Sequence, residues 1–253
     1  MKVLYIDCFS GVSGDMFLGA MVDMGICIER ISAGLDLLGI PELKIAAAKT
    51  SRGGITGTKV DVLVPDTMQE RHLSDIIGII DGSRLSPGVR KRSRSIFRRL
   101  AAAESKVHGI SVEEVHFHEV GALDTIADVV GVAICLEEAG IEEAYSSPVN
   151  VGSGFVTTSH GMLPVPAPAT LEILSGMPIY STGVHAELAT PTGAAILAEI
   201  CKGFGTMPAI RVEKIGYGAG SKELETPNLL RVIAGEYASH KFRNHRHSGH
   251  HEH

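Results

Sequence analysis

Close cysteine pairs are missing from this sequence: Cys8, Cys27, Cys135 and Cys201 are scattered, so neither a disulfide framework nor a CxxC-type structural zinc site is written here. That scatter favours a reducing compartment, and a cytoplasmic location is expected. Long apolar runs are missing too. The longest, Val129 to Leu136, falls well short of the roughly 20 residues needed to cross a bilayer, so no transmembrane segment and no membrane partner are expected. Nor is a secretory leader expected, because Val3-Leu4-Tyr5-Ile6 is interrupted at once by Asp7 and a glycine-serine loop. Positive charge is in deficit. A net charge of −6 argues against a general nucleic-acid binder, whose affinity comes from neutralising phosphates. One basic cluster, Arg90, Lys91, Arg92, Arg94, Arg98 and Arg99, runs against the balance. It reads as a solvated helix surface, with docking of an acidic partner domain as the alternative.

What is present is an ordinary globular composition, 44% apolar over 253 residues, enough for a core without staples. Val3 to Phe9 reads as a buried strand. Gly14 to Met24 reads as a helix with Phe17, Met21 and Met24 on one face. Lys44 to Ala48 and Thr58 to Val64 flank Arg52-Gly53-Gly54 and suggest an antiparallel pair. Helices are expected over His72 to Ile80, Val89 to Val107 and Leu123 to Glu138, the last stopped by Gly140, with a capping box at Ser111-Val112-Glu113-Glu114. Strands follow at Ala144 to Val151, Pro178 to Tyr180, Ile210 to Ile215 and Leu229 to Ile233, with helices near Ala169 to Leu174 and Gly193 to Cys201. The expectation is an α/β or α+β fold: a mixed sheet with flanking helices over residues 1–239, then a flexible His-rich tail over 240–253.

The internal constellation with most chemistry is His116-Phe117-His118-Glu119 followed by Asp124 and Asp128. In an extended segment His116 and His118 project from one face, and on the next helix Asp124 and Asp128 are one turn apart. Asp124 alone is explained by the positive helix N-terminus. Asp128 is not, since a charge one turn deeper in an apolar helix costs free energy unless paired or metal-bound. The four together read as a divalent-cation site, and the spacing is not that of an HExxH protease. Six tail histidines, His240, His245, His247, His250, His251 and His253, suit borderline metals. Their irregular spacing, threaded with Arg243, Arg246 and Glu252, fits metal buffering better than a contiguous tag.

The loop Ser10-Gly11-Val12-Ser13-Gly14-Asp15 follows a strand and opens a helix, so Ser10, Gly11, Ser13, Gly14 and Asp15 are candidates for cradling a phosphate, although it is neither a Walker nor a dinucleotide pattern. Asp15 opposes a bare phosphate unless a metal or hydroxyl intervenes, and a tight turn with a helix cap is the alternative. Two further glycine-rich stretches, Val151 to Gly154 and Gly216 to Gly220, read as turns after strands. Thr190-Pro191 reads as a helix start, and His160 as a loop histidine.

These residues carry a resemblance. YIDCFSGVSGDMFLGAMVDMG from Tyr5, HFHEVGALDTIADVVG from His116, PVNVGSGFVTTSHGMLPVPAPATLEIL from Pro148, ELATPTGAAIL from Glu187, GYGAG from Gly216 and PNLLRV from Pro227 resemble the LarC family, nickel-insertion proteins of nickel-pincer cofactor biosynthesis. The resemblance implies a nickel chelatase or cyclometallase of the lyase class. It would bind Ni(II) and insert it into pyridinium-3,5-bisthiocarboxylic acid mononucleotide, using CTP with a divalent metal, for enzymes of the lactate racemase type. It further implies a carboxyl-terminal insertion domain, to which nucleotide binding belongs, and the cofactor-dependent apoenzyme as a partner. It supplies no catalytic residues here, and no stretch reads as the CTP site. Many relatives carry a histidine-rich insertion before the segment matching Arg71-His72, where only Met68-Gln69-Glu70 stands here. Two other readings remain: a nickel store or chaperone serving a separate insertion domain, and a Mg²⁺-dependent phosphotransferase or hydrolase built on Asp7, Asp15, Asp124 and Asp128.

Overall fold

The computed structural model describes residues 1–63, 71–117, 123–158 and 161–238, with His116 described through its backbone; His118, Glu119, His160 and the tail histidines lie outside these residues. Among the described residues no helix is long and apolar enough to cross a membrane.

The chain opens with strand β1 (Lys2–Asp7), whose Val3, Leu4, Tyr5 and Ile6 are all buried, and enters helix α1 (Gly14–Asp23) through the glycine-serine loop. Helix α2 (Ile28–Asp36) follows, then strands β2 (Lys44–Arg52) and β3 (Ile55–Leu63). Gly53 and Gly54, at φ +55° and +81°, make the two-residue turn with two left-handed positions that a tight hairpin requires, so the expected antiparallel pair forms. Short strand β4 (Arg71–His72) leads into α3 (Leu73–Gly82) and the long α4 (Pro87–His108). α4 starts where Ser86 accepts from the Val89 N–H at 3.1 Å with Pro87 in the first turn, and ends at Gly109 with φ +66°. On its basic face Arg94 pairs with Asp81 at 2.7 Å and Arg99 with Glu199 at 3.1 Å.

The capping box forms a single 3₁₀ turn, Val112–Glu114, before β5 (His116–Phe117), and α5 covers Leu123–Glu138 as its apolar run implied. The second half adds β6 (Glu143–Ser146), β7 (Val149–Asn150), β8 (Phe155–Thr158), β9 (Gly161–Pro164), α6 (Pro168–Ile173), β10 (Ile179–Tyr180), α7 (Pro191–Ile200), β11 (Cys201–Phe204), β12 (Ile210–Ala219) and β13 (Leu229–Tyr237). Thr190 accepts from the Gly193 N–H at 3.2 Å and Pro191 follows, so α7 begins where expected.

Among the described residues, seven strands form one mixed sheet in the order β11-β6-β1-β13-β12-β3-β2. β1 sits between β6, parallel, and β13, antiparallel with Lys2 opposite Glu236 and Asp7 opposite Arg231. The fold is therefore a mixed sheet with flanking helices. Helix α2, strand β11 and the β8–β9 hairpin are additions to what the sequence suggested. Two readings need correction. The expected strand from Ala144 to Val151 is broken after Ser146 into β6 of the large sheet and β7, which pairs with β10 instead. Gly216 and Gly218 lie inside β12 rather than in a turn, with Gly220 just beyond its end. A Cβ on Gly218 would stand 1.7 Å from the Met16 carbonyl oxygen, and one on Gly216 2.0 Å from that of Ala20. These glycines let α1 lie backbone against backbone on the sheet.

Candidate functional site

β1 delivers the chain into the loop before α1, and backbone hydrogen bonds fasten that loop to the segment before α7. The Val12 N–H donates to the Leu188 carbonyl at 2.9 Å, and the Thr190 N–H to the Val12 carbonyl at 3.0 Å. Gly11 has φ +87°, and a Cβ there would stand 2.0 Å from the Leu188 carbonyl oxygen, so its glycine is demanded by this close packing. The starts of α1 and α7 are brought side by side: a Cβ on Gly193 would stand 2.4 Å from the Val12 carbonyl oxygen.

These two helix starts form one wall of a cavity of about 790 Å³. Ser13, Gly14 and Asp15 line it; Ser10 and Gly11 are not among its lining residues, and Ser10 is buried with its Oγ unpartnered among the described residues. A second wall is the first two turns of α5, with Asp124, Thr125 and Asp128. β3 contributes Lys59 and Asp61, and the β8–β9 hairpin contributes Val156, Thr158 and Leu163. Phe117 of β5, Glu104 and His108 of α4, Glu187 and the start of α6 complete it. The opening loop and the carboxylate stripe of α5, more than 100 residues apart in sequence, thus face one space.

Asp128 lies directly against the start of α1. A Cβ on Gly14 would stand 2.3 Å from Asp128 Oδ2, so the glycine is what admits the carboxyl. The Asp15 backbone N–H donates to this carboxyl, while Oδ1 is cut off from solvent with no partner among the described residues, although the side chain keeps some surface along the cavity. Burial pushes the Asp128 pKa well above the ordinary carboxylate range; the charges of Asp15 and Asp124 push the same way, and Lys59 and the Asp15 N–H only partly oppose them.

Lys59 is the residue that sequence reasoning missed. Its side chain is 15% exposed, and its Nζ donates to Asp15 Oδ2 at 2.8 Å and pairs with Asp61 Oδ1 at 3.1 Å. Burial disfavours the ammonium, but the hydrogen bonds and charges of these two carboxylates outweigh it and raise the pKa, so Lys59 is a firm cation. The Ser13 hydroxyl donates to the other oxygen of Asp15. The signal was present in Thr58-Lys59-Val60-Asp61, where Lys59 and Asp61 share the strand face opposite buried Val60.

The cavity therefore has carboxylates suited to a hard or borderline cation and one fixed cation suited to an anion. Three helices of ten or more residues, α1, α5 and α7, begin on its wall and add their positive ends. Of the expected metal set, Asp124 and Asp128 share the cavity wall. His116 is placed by its backbone beside Phe117, opposite His72 across β4 and β5; His118 and His240, His245, His247, His250, His251 and His253 lie outside the described residues. Among the described residues, no three His, Cys, Asp or Glu side chains stand close enough to hold a metal ion by themselves.

The profile of the nickel insertion protein family matches residues 4–252. The pyridinium-3,5-bisthiocarboxylic acid mononucleotide nickel insertion protein of Desulfitobacterium hafniense (strain DSM 10664 / DCB-2) is 53% identical over 241 residues, covering 94% of this chain and 59% of that protein. The protein of the same name from Geobacillus kaustophilus is 46% identical over 247 residues, covering 93% of this chain and 60% of its own length. The chain thus spans about 60% of the length of the curated relatives it matches. No solved structure matches it.

Proposed function

The chain belongs to the nickel insertion protein family, and from that premise we propose that it binds Ni(II) and takes part in inserting it into pyridinium-3,5-bisthiocarboxylic acid mononucleotide, with the 790 Å³ cavity as the place where metal and precursor meet. One observation carries this reading: the opening loop, proposed for the precursor, and the Asp124–Asp128 stripe, proposed for the metal, line the same space. Nickel is cargo here. Carboxylate and imidazole ligands hold Ni(II) but give it up to the softer sulfurs of the precursor, so a site led by Asp124 and Asp128, with His116 and His118 from the adjoining segment, is suited to release. The loop's contribution to the precursor narrows to Ser13, Gly14 and Asp15.

Forming a nickel–carbon bond also requires loss of a ring proton and stripping of the metal's other ligands. In this reading the CTP-dependent part of that chemistry belongs to a carboxyl-terminal domain, and this chain alone loads nickel without completing the cofactor. The tail histidines act as a local reservoir.

The test is to incubate the chain with precursor, Ni²⁺ and CTP, with and without the carboxyl-terminal region of the Desulfitobacterium relative, and to read finished cofactor by mass spectrometry. Product is expected only with the added region. Deleting residues 240–253 should lower nickel stoichiometry but leave insertion near normal at saturating Ni²⁺. His118→Ala combined with Asp128→Ala should abolish it, and normal insertion by that folded double variant would overturn the assignment.

A further inference from the structure

The precursor presents several charges of different kinds, and the cavity does not offer each of them a partner of the same type. If the functional reading above holds, the two thiocarboxylates face the metal. The phosphate at the other end of the nucleotide then still needs a cation. Among the described residues that line the cavity, Lys59 is the one lysine or arginine, against six carboxylates: Asp15, Asp61, Glu104, Asp124, Asp128 and Glu187. Elsewhere on that wall a phosphate dianion would meet hydroxyls and His108 but no lysine or arginine, among carboxylates softened only by helix dipoles, and an exposed helix end is worth about 1 kcal/mol or less.

We propose that Lys59 is the phosphate-reading residue of the cavity, with Asp15 and Asp61 as the positioning carboxylates that hold its ammonium on the wall. The geometry supports this on three counts. The ammonium is held by Asp15 at 2.8 Å, Asp61 at 3.1 Å and the Val60 carbonyl at 3.2 Å, so little rotamer freedom remains to be lost, and an arriving anion takes the proton now given to the Val60 carbonyl, the longest of the three contacts. Its side chain keeps 15% of its surface on a cavity that Ser13 also lines, and the Ser13 hydroxyl, now donating to Asp15, needs only a rotation about its C–O bond to face a third acceptor. The start of α7, at Pro191 and Thr192, borders the same cavity and adds a favourable dipole. The loop at Gly11, by contrast, is closed against Leu188 and has no room for a phosphate.

The experiment titrates precursor mononucleotide and its dephosphorylated nucleoside, by calorimetry, into the unaltered chain and into Lys59→Met and Lys59→Arg, each checked for folding by far-UV circular dichroism. The unaltered chain should prefer the mononucleotide by about tenfold or more, the worth of one charge-assisted hydrogen bond. Lys59→Met should bind both alike, and Lys59→Arg should keep a preference. Should Lys59→Met not fold, the unaltered chain still decides: mononucleotide, but not nucleoside, should protect Lys59 from acetylation as read by mass spectrometry. Equal affinity of the unaltered chain for the two compounds, or a phosphate preference that survives in Lys59→Met, overturns the role of Lys59 while leaving precursor binding intact. Failure of the unaltered chain to bind either compound overturns the functional reading as well.

Discussion

Helix α1 meets the rest of the protein at two places by the same device, a missing Cβ, and to opposite ends. Along its length Gly19 of the helix and Gly216 and Gly218 of β12 let backbone rest on backbone: a Cβ on Gly19 would stand 2.3 Å from the Thr58 carbonyl oxygen. At its start Gly14 admits a side chain instead, the Asp128 carboxyl. The first contact is backbone on backbone, uncharged and closed. The second is charged, borders the cavity and leaves a buried oxygen without a partner among the described residues. Glycine in this fold therefore marks both where the protein must not yield and where it makes room for chemistry, and only the neighbour across the gap distinguishes them.

The largest effect should come from the closed contact. Gly218→Ala would place a methyl 1.7 Å from the Met16 carbonyl oxygen and 2.5 Å from the Ala20 nitrogen, both backbone atoms of a packed helix. A loss of about 3 kcal/mol or more is expected by urea denaturation, at the upper end of overpacking costs. If Gly218→Ala unfolds at the unaltered midpoint, the backbone contact is looser than it looks.

The open contact should respond less in stability and more in binding. In Gly14→Ala the obstructing atoms belong to a side chain beside a cavity, which can turn away, so the expected loss is about 1 kcal/mol. Because Asp128 must move, nickel affinity measured by equilibrium dialysis should fall about tenfold. Unchanged nickel affinity in this folded variant would separate Asp128 from the metal.

The smallest effect separates charge from shape. Asp128 has a pKa raised by burial and by neighbouring carboxylates. Its contribution is therefore fully present below the unfolded carboxylate value of about 3.9 and is lost as pH rises through the higher folded value. Asp128→Asn keeps the shape and removes that loss. Its melting temperature at pH 7 should exceed the unaltered one by a few degrees, at roughly 2–4 °C per kcal/mol for a chain of this size, and the gap should close near pH 4. A lower melting temperature at pH 7 would mean that the start of α1 stabilises an ionised Asp128.

The same contrast explains what could be read from the sequence. α5 was legible to its ends because an apolar run bounded by Asp124 and Gly140 fixes a helix locally, and the β2–β3 hairpin because Gly53-Gly54 fixes a turn locally. Asp128 was suspected because a lone acid in an apolar helix violates a local pattern. Lys59 was passed over because, although it shares a strand face with Asp61, its other partner Asp15 lies 44 residues away, and a lysine in an alternating strand looks like solvent-facing charge. The glycines of β12 were mistaken for a turn because composition alone does not distinguish a glycine that bends the chain from one that lets a helix approach. The β8–β9 hairpin was hidden because it follows a stretch read as a glycine-rich turn and flanks a histidine read as part of a loop.

The placement of β1 between β6 and β13 has a consequence for how the protein is made. Asp7 pairs with Arg231, 224 residues later, so β1 leaves the ribosome long before the strand that encloses it. At about 5–20 residues per second, Val3 to Ile6 wait roughly 10–45 s for β13 to be synthesised. During that interval an apolar strand has an unfilled edge on the nascent chain, where another such strand can pair with it. Yield in a cell should therefore depend on what shields those four residues during synthesis, and slowing translation between β12 and β13 should lower soluble yield without altering the stability of the molecules that finish.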